Sequence, residues 1–198
     1  MTSPNIAQGR LLSLKGTARR FGAILADPPW RFRTWSETNQ AKSASKHYGL
    51  MEFDDIKAMP VADVAAIDCT LFLWAIDSML PQAVEVGSAW GFKFKTVAFV
   101  WAKEGRERGI FPIGTGYWTR ANPEQCLLFT RGKPRRVSKA VRKLIVAPRR
   151  EHSRKPDEVF TSIERLVDGP YLELFARADR PGWTVWGNEV GKFNAKKP

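Results

Sequence analysis

The sequence predicts an α/β fold with a mostly parallel central sheet and helices on both faces. Two observations lead there. Short apolar runs recur at wide spacing, with helical patterns between some of them. The runs are continuous in hydrophobicity rather than alternating, as expected of strands covered on both faces. Strands that alternate with helices are the signature of the α/β class, and such sheets bind ligands beyond the carboxyl ends of their strands.

The elements follow in chain order. Residues 1–20 are polar and irregular, and are expected to form a flexible arm ahead of a single domain over 21–198. Ala23-Ile24-Leu25-Ala26 reads as the first buried strand. Further strands are expected at Thr70–Trp74, Val97–Trp101, Gln125–Phe129, Lys143–Val146, Tyr171–Phe175 and Trp183–Trp186. Ser78–Trp90 reads as a helix with Pro81 in its first turn. Pro156–Val167 is the clearest helix. Proline suits the first helical position, Asp157 and Glu158 suit the positive end of the dipole, and Val159, Ile163, Leu166 and Val167 form one stripe. Asp168-Gly169-Pro170 stops it. The polar, glycine-containing stretches Thr34–Tyr48 and Gly105–Arg120 are too long for simple turns and are expected to be functional loops.

Composition narrows the function. Hydrophobic residues make up 43% of the chain, with 8 Trp and 12 Phe, so a real core forms and global disorder is excluded. No apolar run is long enough to span a bilayer, and no signal peptide is visible; the expected location is the cytoplasm. Two cysteines, Cys69 and Cys126, and two histidines, His47 and His152, leave no residue set for a zinc cluster, so no metal is expected. The net charge is +12, and Arg131–Lys155 alone holds eleven cations against Glu151, a local +10. Charge concentrated on a nearly neutral body is the footprint of a phosphate backbone. Arg135, Arg136 and Arg142 are the expected phosphate contacts.

Asp27-Pro28-Pro29-Trp30 follows the first strand directly. Neither proline has an N–H, so this turn offers acceptors only. An adenine amine requires that arrangement. Its lone pair is delocalised into the ring, and acceptors aimed at its two protons, the Asp27 carboxylate and the Pro28 carbonyl, let the nitrogen pyramidalise toward an electrophile. Trp30 is expected to stack on the extruded base. As local structure alone, the same residues also make a rigid turn with a buried tryptophan.

Asp-Pro-Pro-Trp at this place resembles the signature of the adenine-N6 methyltransferases related to the seventy-kilodalton subunit of the mRNA methyltransferase. Further blocks resemble that family in order: His47-Tyr48-Gly49-Leu50-Met51, Leu71-Phe72-Leu73-Trp74, Gly116-Tyr117-Trp118, Glu124-Gln125-Cys126-Leu127, Gly132-Lys133-Pro134, His152–Glu158, Leu172–Arg177 and Trp186-Gly187-Asn188-Glu189. The resemblance covers roughly Phe21–Val190 and implies a Rossmann-like methyltransferase fold using S-adenosylmethionine. It implies that Asp27, Pro28, Pro29 and Trp30 hold the target adenine and that Tyr48 sits in a gate loop over the substrate. Lys155 would pair with the cofactor carboxylate, and Glu173, Arg177, Asn188 and Glu189 would surround its ribose and adenine. Lys155 also stands at a helix start, where anions bind on physical grounds alone. Phe175-Ala176-Arg177-Ala178 lacks the glycines that usually end a cofactor strand. The implied partner is nucleic acid, DNA ahead of RNA, with a homodimer as one way of reading a site. The rival reading is a catalytically silent binding subunit, which would have been free to lose Asp27, Pro28, Trp30 and Lys155.

Overall fold

The structure is a computed structural model that describes residues 20–31, 50–105, 107–114, 116, 118–151 and 154–194. The proposed arm (apart from Arg20), the Thr34–Tyr48 loop with Tyr48, and both histidines lie outside the described residues.

Seven strands form one sheet: β1 Phe21–Ala26, β2 Ala65–Ala75, β3 Lys93–Glu104, β4 Glu124–Arg131, β5 Leu144–Pro148, β6 Tyr171–Leu174 and β7 Trp183–Trp186. Their spatial order is β5-β3-β4-β2-β1-β6-β7. Each falls on an apolar run picked out from the sequence. Neighbours pair in parallel except at β4, which runs antiparallel to both β2 and β3. The sheet is therefore mostly parallel, with one reversed strand.

Alternate residues of the central strands feed two cores. Ile24, Leu71, Leu73 and Leu172 face helices α1 (Phe53–Lys57) and α2 (Leu80–Ala89) through Ile56, Ala83, Val86 and Trp90. Leu25, Phe72, Trp74 and Ile145 face helix α3 (Glu158–Leu166) through Val159, Phe160 and Ile163. This explains the continuous hydrophobicity of β1 and β2: both faces are covered.

Helix α2 begins after a 3-10 turn at Asp77–Met79, with Pro81 in its first turn as the sequence requires. Gly91, at φ +85°, closes it: the Phe92 N–H donates to the Gly87 carbonyl at 3.0 Å. Helix α3 starts two residues later than the pattern suggests. Asp157 makes no side-chain cap, because its carboxylate accepts from Arg150 at 2.5 Å and Arg180 at 2.6 Å. Helix α1 has too few residues to show a helical period.

In the sheet register Ala26 lies level with Leu73 of β2 and Leu174 of β6. From β1 the chain moves to one side of the sheet, and β6 and β7 lie on the other. The boundary between β1 and β6 is thus the topological switch point, where open α/β sheets bind their ligands.

Candidate active site

Asp27 leaves the carboxyl end of β1 at that switch point. The turn behind it is well anchored. The Trp30 N–H donates to the Pro28 carbonyl at 2.8 Å, and the Met51 N–H to the Pro29 carbonyl at 3.2 Å. Pro28 still has a second lone pair to offer. Trp30 departs from the sequence expectation: it is only 6% exposed, it packs in the α1/α2 core, and its Nε1–H donates to the Trp74 carbonyl at 3.0 Å. Here it braces the turn instead of presenting an open stacking face.

Lys155 reaches Asp27 from the far end of the sequence. Its Nζ donates to both Asp27 oxygens at 2.8 Å and lies 3.2 Å from Glu124 and 5.4 Å from the centre of the Trp74 ring. Glu124 is held in turn by Lys103 at 2.7 Å. Burial pushes the Glu124 carboxyl up, but Lys155 and Lys103 outweigh it and hold it down to about 2. Burial likewise pulls Lys155 down, and the Asp27 and Glu124 carboxylates more than reverse it, leaving its pKa raised. The site is a buried alternation of charges in which each cation is held by acids.

Across the switch point, β6 ends in an unusual way. Phe175 adopts φ +63°, the left-handed region that glycine normally fills. The turn keeps the glycine conformation without the glycine. Edge-on packing of Phe175 against Trp186 at 5.8 Å and the Ala176 N–H donated to the Trp186 carbonyl at 2.9 Å secure it. Beyond it, Arg177 lies 3.7 Å from Asp27 and 3.8 Å from Glu189. Asn188 is exposed in the turn after β7. Glu173 faces into the cleft among the described residues with no hydrogen bond or ion pair, and burial pushes its carboxyl up to about 7 despite Arg180 nearby.

The structure thus brings Asp27, Lys155, Glu173, Arg177 and Glu189 together, and it separates them from Arg135, Arg136 and Arg142. Because β4 runs antiparallel, it carries the chain from Glu124 at the site to Arg131 at the opposite end of the sheet. The backbone of Arg136 bridges Val167, just ahead of β6 and at its amino end. The chain is back at the level of the site by the start of β5, where Leu144 pairs with Val100 and Val100 with Gln125, and after β5 it carries Arg149, Arg150, Arg154 and Lys155. Arg131 and Arg136 thus lie at the opposite end of the sheet, Arg142 precedes the edge strand β5, and the basic segment is not one continuous track beside the acid turn.

A model of the MT-A70 family matches residues 21–189, nearly the whole chain. The chain belongs to the MT-A70 family. It is thereby a methyltransferase of the adenine-N6 class. Among its relatives is the Type II methyltransferase M.MunI of Mycoplasma sp, 31% identical over 190 residues that cover 87% of this chain and 78% of that protein. The N(6)-adenosine-methyltransferase MT-A70-like of Arabidopsis thaliana is 32% identical over 86% of this chain but 24% of its own length. The N(6)-adenosine-methyltransferase catalytic subunit METTL3 of Homo sapiens is 29% identical over 90% of this chain and 30% of its own. Against these two relatives, this MT-A70 chain spans less than a third of their length.

The site of this MT-A70 protein also contains groups to which the sequence reading assigned no role. Glu124 and Lys103 end neighbouring strands far apart in sequence, so only the sheet shows that they meet. The pairing of Asp157 with Arg180, and the Arg180 guanidinium 3.5 Å above the Phe160 ring, are equally invisible in one dimension. Family membership implies S-adenosylmethionine, and the residues present suit it in kind. Lys155 and Arg177 match a carboxylate, Glu173 and Glu189 match hydroxyls, and Phe175 and Phe193 offer rings. The Trp74 indole N–H at the cleft wall is buried and finds no acceptor among the described residues. The cleft itself is only about 60 Å³, well below the ~300 Å³ of pockets for ligands of cofactor size. Arg154, over the Phe193 ring at 5.2 Å, lines it.

Proposed function

We propose that this chain transfers a methyl group from S-adenosylmethionine to the N6 amine of adenine in DNA, by direct in-line attack without a covalent enzyme intermediate. The observation that carries the reading is the acceptor-only turn at Asp27 and Pro28, set at the switch point against the cations Lys155 and Arg177. The cofactor supplies an electrophilic methyl when bound. The chain's own residues do the rest by positioning and dipole alignment.

Asp27 and the second lone pair of Pro28 accept hydrogen bonds from the two amine N–H groups, one proton leaves the amine as the N–C bond forms and the S–C bond breaks, and Trp30 keeps the turn rigid from behind. Lys155 and Arg177 orient the cofactor carboxylate, and Glu173, Asn188 and Glu189 attend its ribose and adenine. Cys69 and Cys126 are buried and stay thiols: burial pushes Cys69 up to about 12 and Cys126 well above its ordinary value. Neither is a thiolate nucleophile at neutral pH. DNA is favoured as the acceptor because the match to the Type II methyltransferase runs over most of both chains, whereas the adenosine-methyltransferases are matched over a small part of their length.

The test is radiolabelled methyl transfer to unmethylated DNA and to RNA of the same sequences, followed by nucleoside analysis. The expected product is N6-methyldeoxyadenosine, and Asp27→Asn should lower its formation by about 100-fold or more. Label found only in RNA would reverse the choice of acceptor. Full activity in the Asn variant would remove Asp27 from the chemistry.

A further inference from the structure

The β3–β4 loop, residues 105–123, springs from the site end of the sheet. It begins after Glu104 and ends at Glu124, which touches Lys155. It carries four of the large apolar side chains that the fold leaves in water: Ile110 at 57%, Phe111 at 50%, Ile113 at 76% and Trp118 at 92% exposure. Side chains this exposed add little to the core, so their presence together at one loop needs another cause.

The loop that holds them is strapped. The Gly105 N–H donates to the Ile110 carbonyl at 2.7 Å, and the Asn122 side chain donates to the Pro112 carbonyl at 2.8 Å. The same Asn122 side chain exchanges two bonds with the backbone of Lys103, both at 2.9 Å. The two arms approach so closely that a Cβ on Gly114 would lie 2.1 Å from the Ala121 carbonyl. Ile110-Phe111-Pro112-Ile113 is therefore held out on a fixed backbone. Exposed cations outnumber the one exposed acid, Glu107, here: Arg108 and Arg120 in the loop, and Arg149 at its base, whose N–H donates to the Glu104 carbonyl at 3.1 Å.

We infer that Phe111 and Ile113 form a wedge that enters a base-paired nucleic acid beside the target adenine, while Arg108, Arg120 and Arg149 take the flanking phosphates. This rests on the reading of the chain as a nucleic-acid adenine methyltransferase. An adenine inside a duplex cannot reach Asp27 until it is unpaired and unstacked. Proteins that open a base step insert Phe, Leu, Ile, Met or Pro into it, and this tip has the sequence Ile-Phe-Pro-Ile. Phosphate contacts around such a tip set its register on the backbone. A protein partner is the competing occupant; the exposed arginines in the loop and at its base favour the polyanion.

The experiment compares sheared, unmethylated genomic DNA with the same DNA heat-denatured, using the wild type and the double variant Phe111→Ser, Ile113→Ser. The variant should lose about tenfold or more in transfer to the duplex and stay within about twofold of the wild type on denatured DNA, where no base has to be pulled from a stack. The denatured substrate also reports that the variant is folded. Equal loss on both substrates, or none on the duplex, overturns the wedge. So does a wild-type dimer that the substitutions split in sedimentation, which would assign the tip to a protein contact. A wild type inactive on both substrates would instead overturn the methyltransferase reading, and the wedge with it.

Discussion

Lys155 and Glu173 show opposite treatments of buried charge in one cleft. Lys155 is surrounded by acids that more than offset its burial. At Glu173 burial outweighs the opposing Arg180 and Arg177, and the carboxyl is raised to about 7. The sign of the consequence follows from linkage. Between its ordinary value near 4.5 and its folded value near 7, Glu173 keeps a proton in the folded state that the unfolded chain has lost. Stability therefore falls as pH rises through that window, and the penalty is complete above it. A shift of this size corresponds to at most about 3 kcal/mol. Glu173→Gln should remove the slope. In urea titrations the variant should match the wild type near pH 4.5 and exceed it in stability at about pH 8. Parallel stability curves for the two proteins would show that Glu173 already has a partner that neutralises its burial. A carboxyl held near neutrality by a cleft with no partner is also a common mark of a ligand site.

At the scale of elements, the turn after β6 and the turn after β7 work as one unit. A Cβ on Gly187 would fall 2.5 Å from the Ala176 carbonyl and 2.7 Å from the Ala176 nitrogen, so the two turns touch backbone to backbone. Gly187→Ala should push Ala176 and Arg177 out of place and cost about 1–3 kcal/mol of stability. It should also weaken S-adenosylmethionine binding measured by calorimetry. An Ala variant with wild-type melting and wild-type affinity would mean that the contact relaxes freely. Such pairings mark the limit of what the sequence shows. The strands were legible because their apolar runs are continuous, and α3 because its stripe repeats with the helical period. The Asp27 turn was legible because proline chemistry is local. That Phe175 takes a glycine conformation was not legible, since Trp186 imposes it from another strand. The burial of Trp30 was hidden for the same reason: its contact with Trp74 belongs to the sheet, not to its own segment.

For the molecule as a whole, the direction of a single strand changes the electrostatic picture. Read linearly, Arg131–Lys155 is one basic run. In space β4 takes its first part to the far end of the sheet, and the chain is back at the level of the site where β5 begins, on the sheet's edge. The five extended residues of β5 put roughly 16 Å between Arg149 and the residues ahead of the strand, Arg142 among them. On the wedge reading, the near group of Arg108, Arg120 and Arg149 fixes the duplex where the adenine is extruded. The far group, with Arg135 and Arg136 toward the other end of the sheet and Arg142 ahead of the edge strand β5, meets phosphates away from the target. The two should therefore differ in what they control. Neutralising the three far arginines to Gln should flatten the dependence of log K on log salt by up to about 2.7, if each meets one phosphate, while transfer at saturating DNA stays unchanged. Neutralising the near three should flatten the slope and also slow transfer at saturation, because register at the opened step is lost. Binding isotherms over a salt series, with single-turnover transfer on the same variants, separate the two effects. If the far variants keep the wild-type slope, the duplex never reaches that edge, and the charge there serves something other than this substrate.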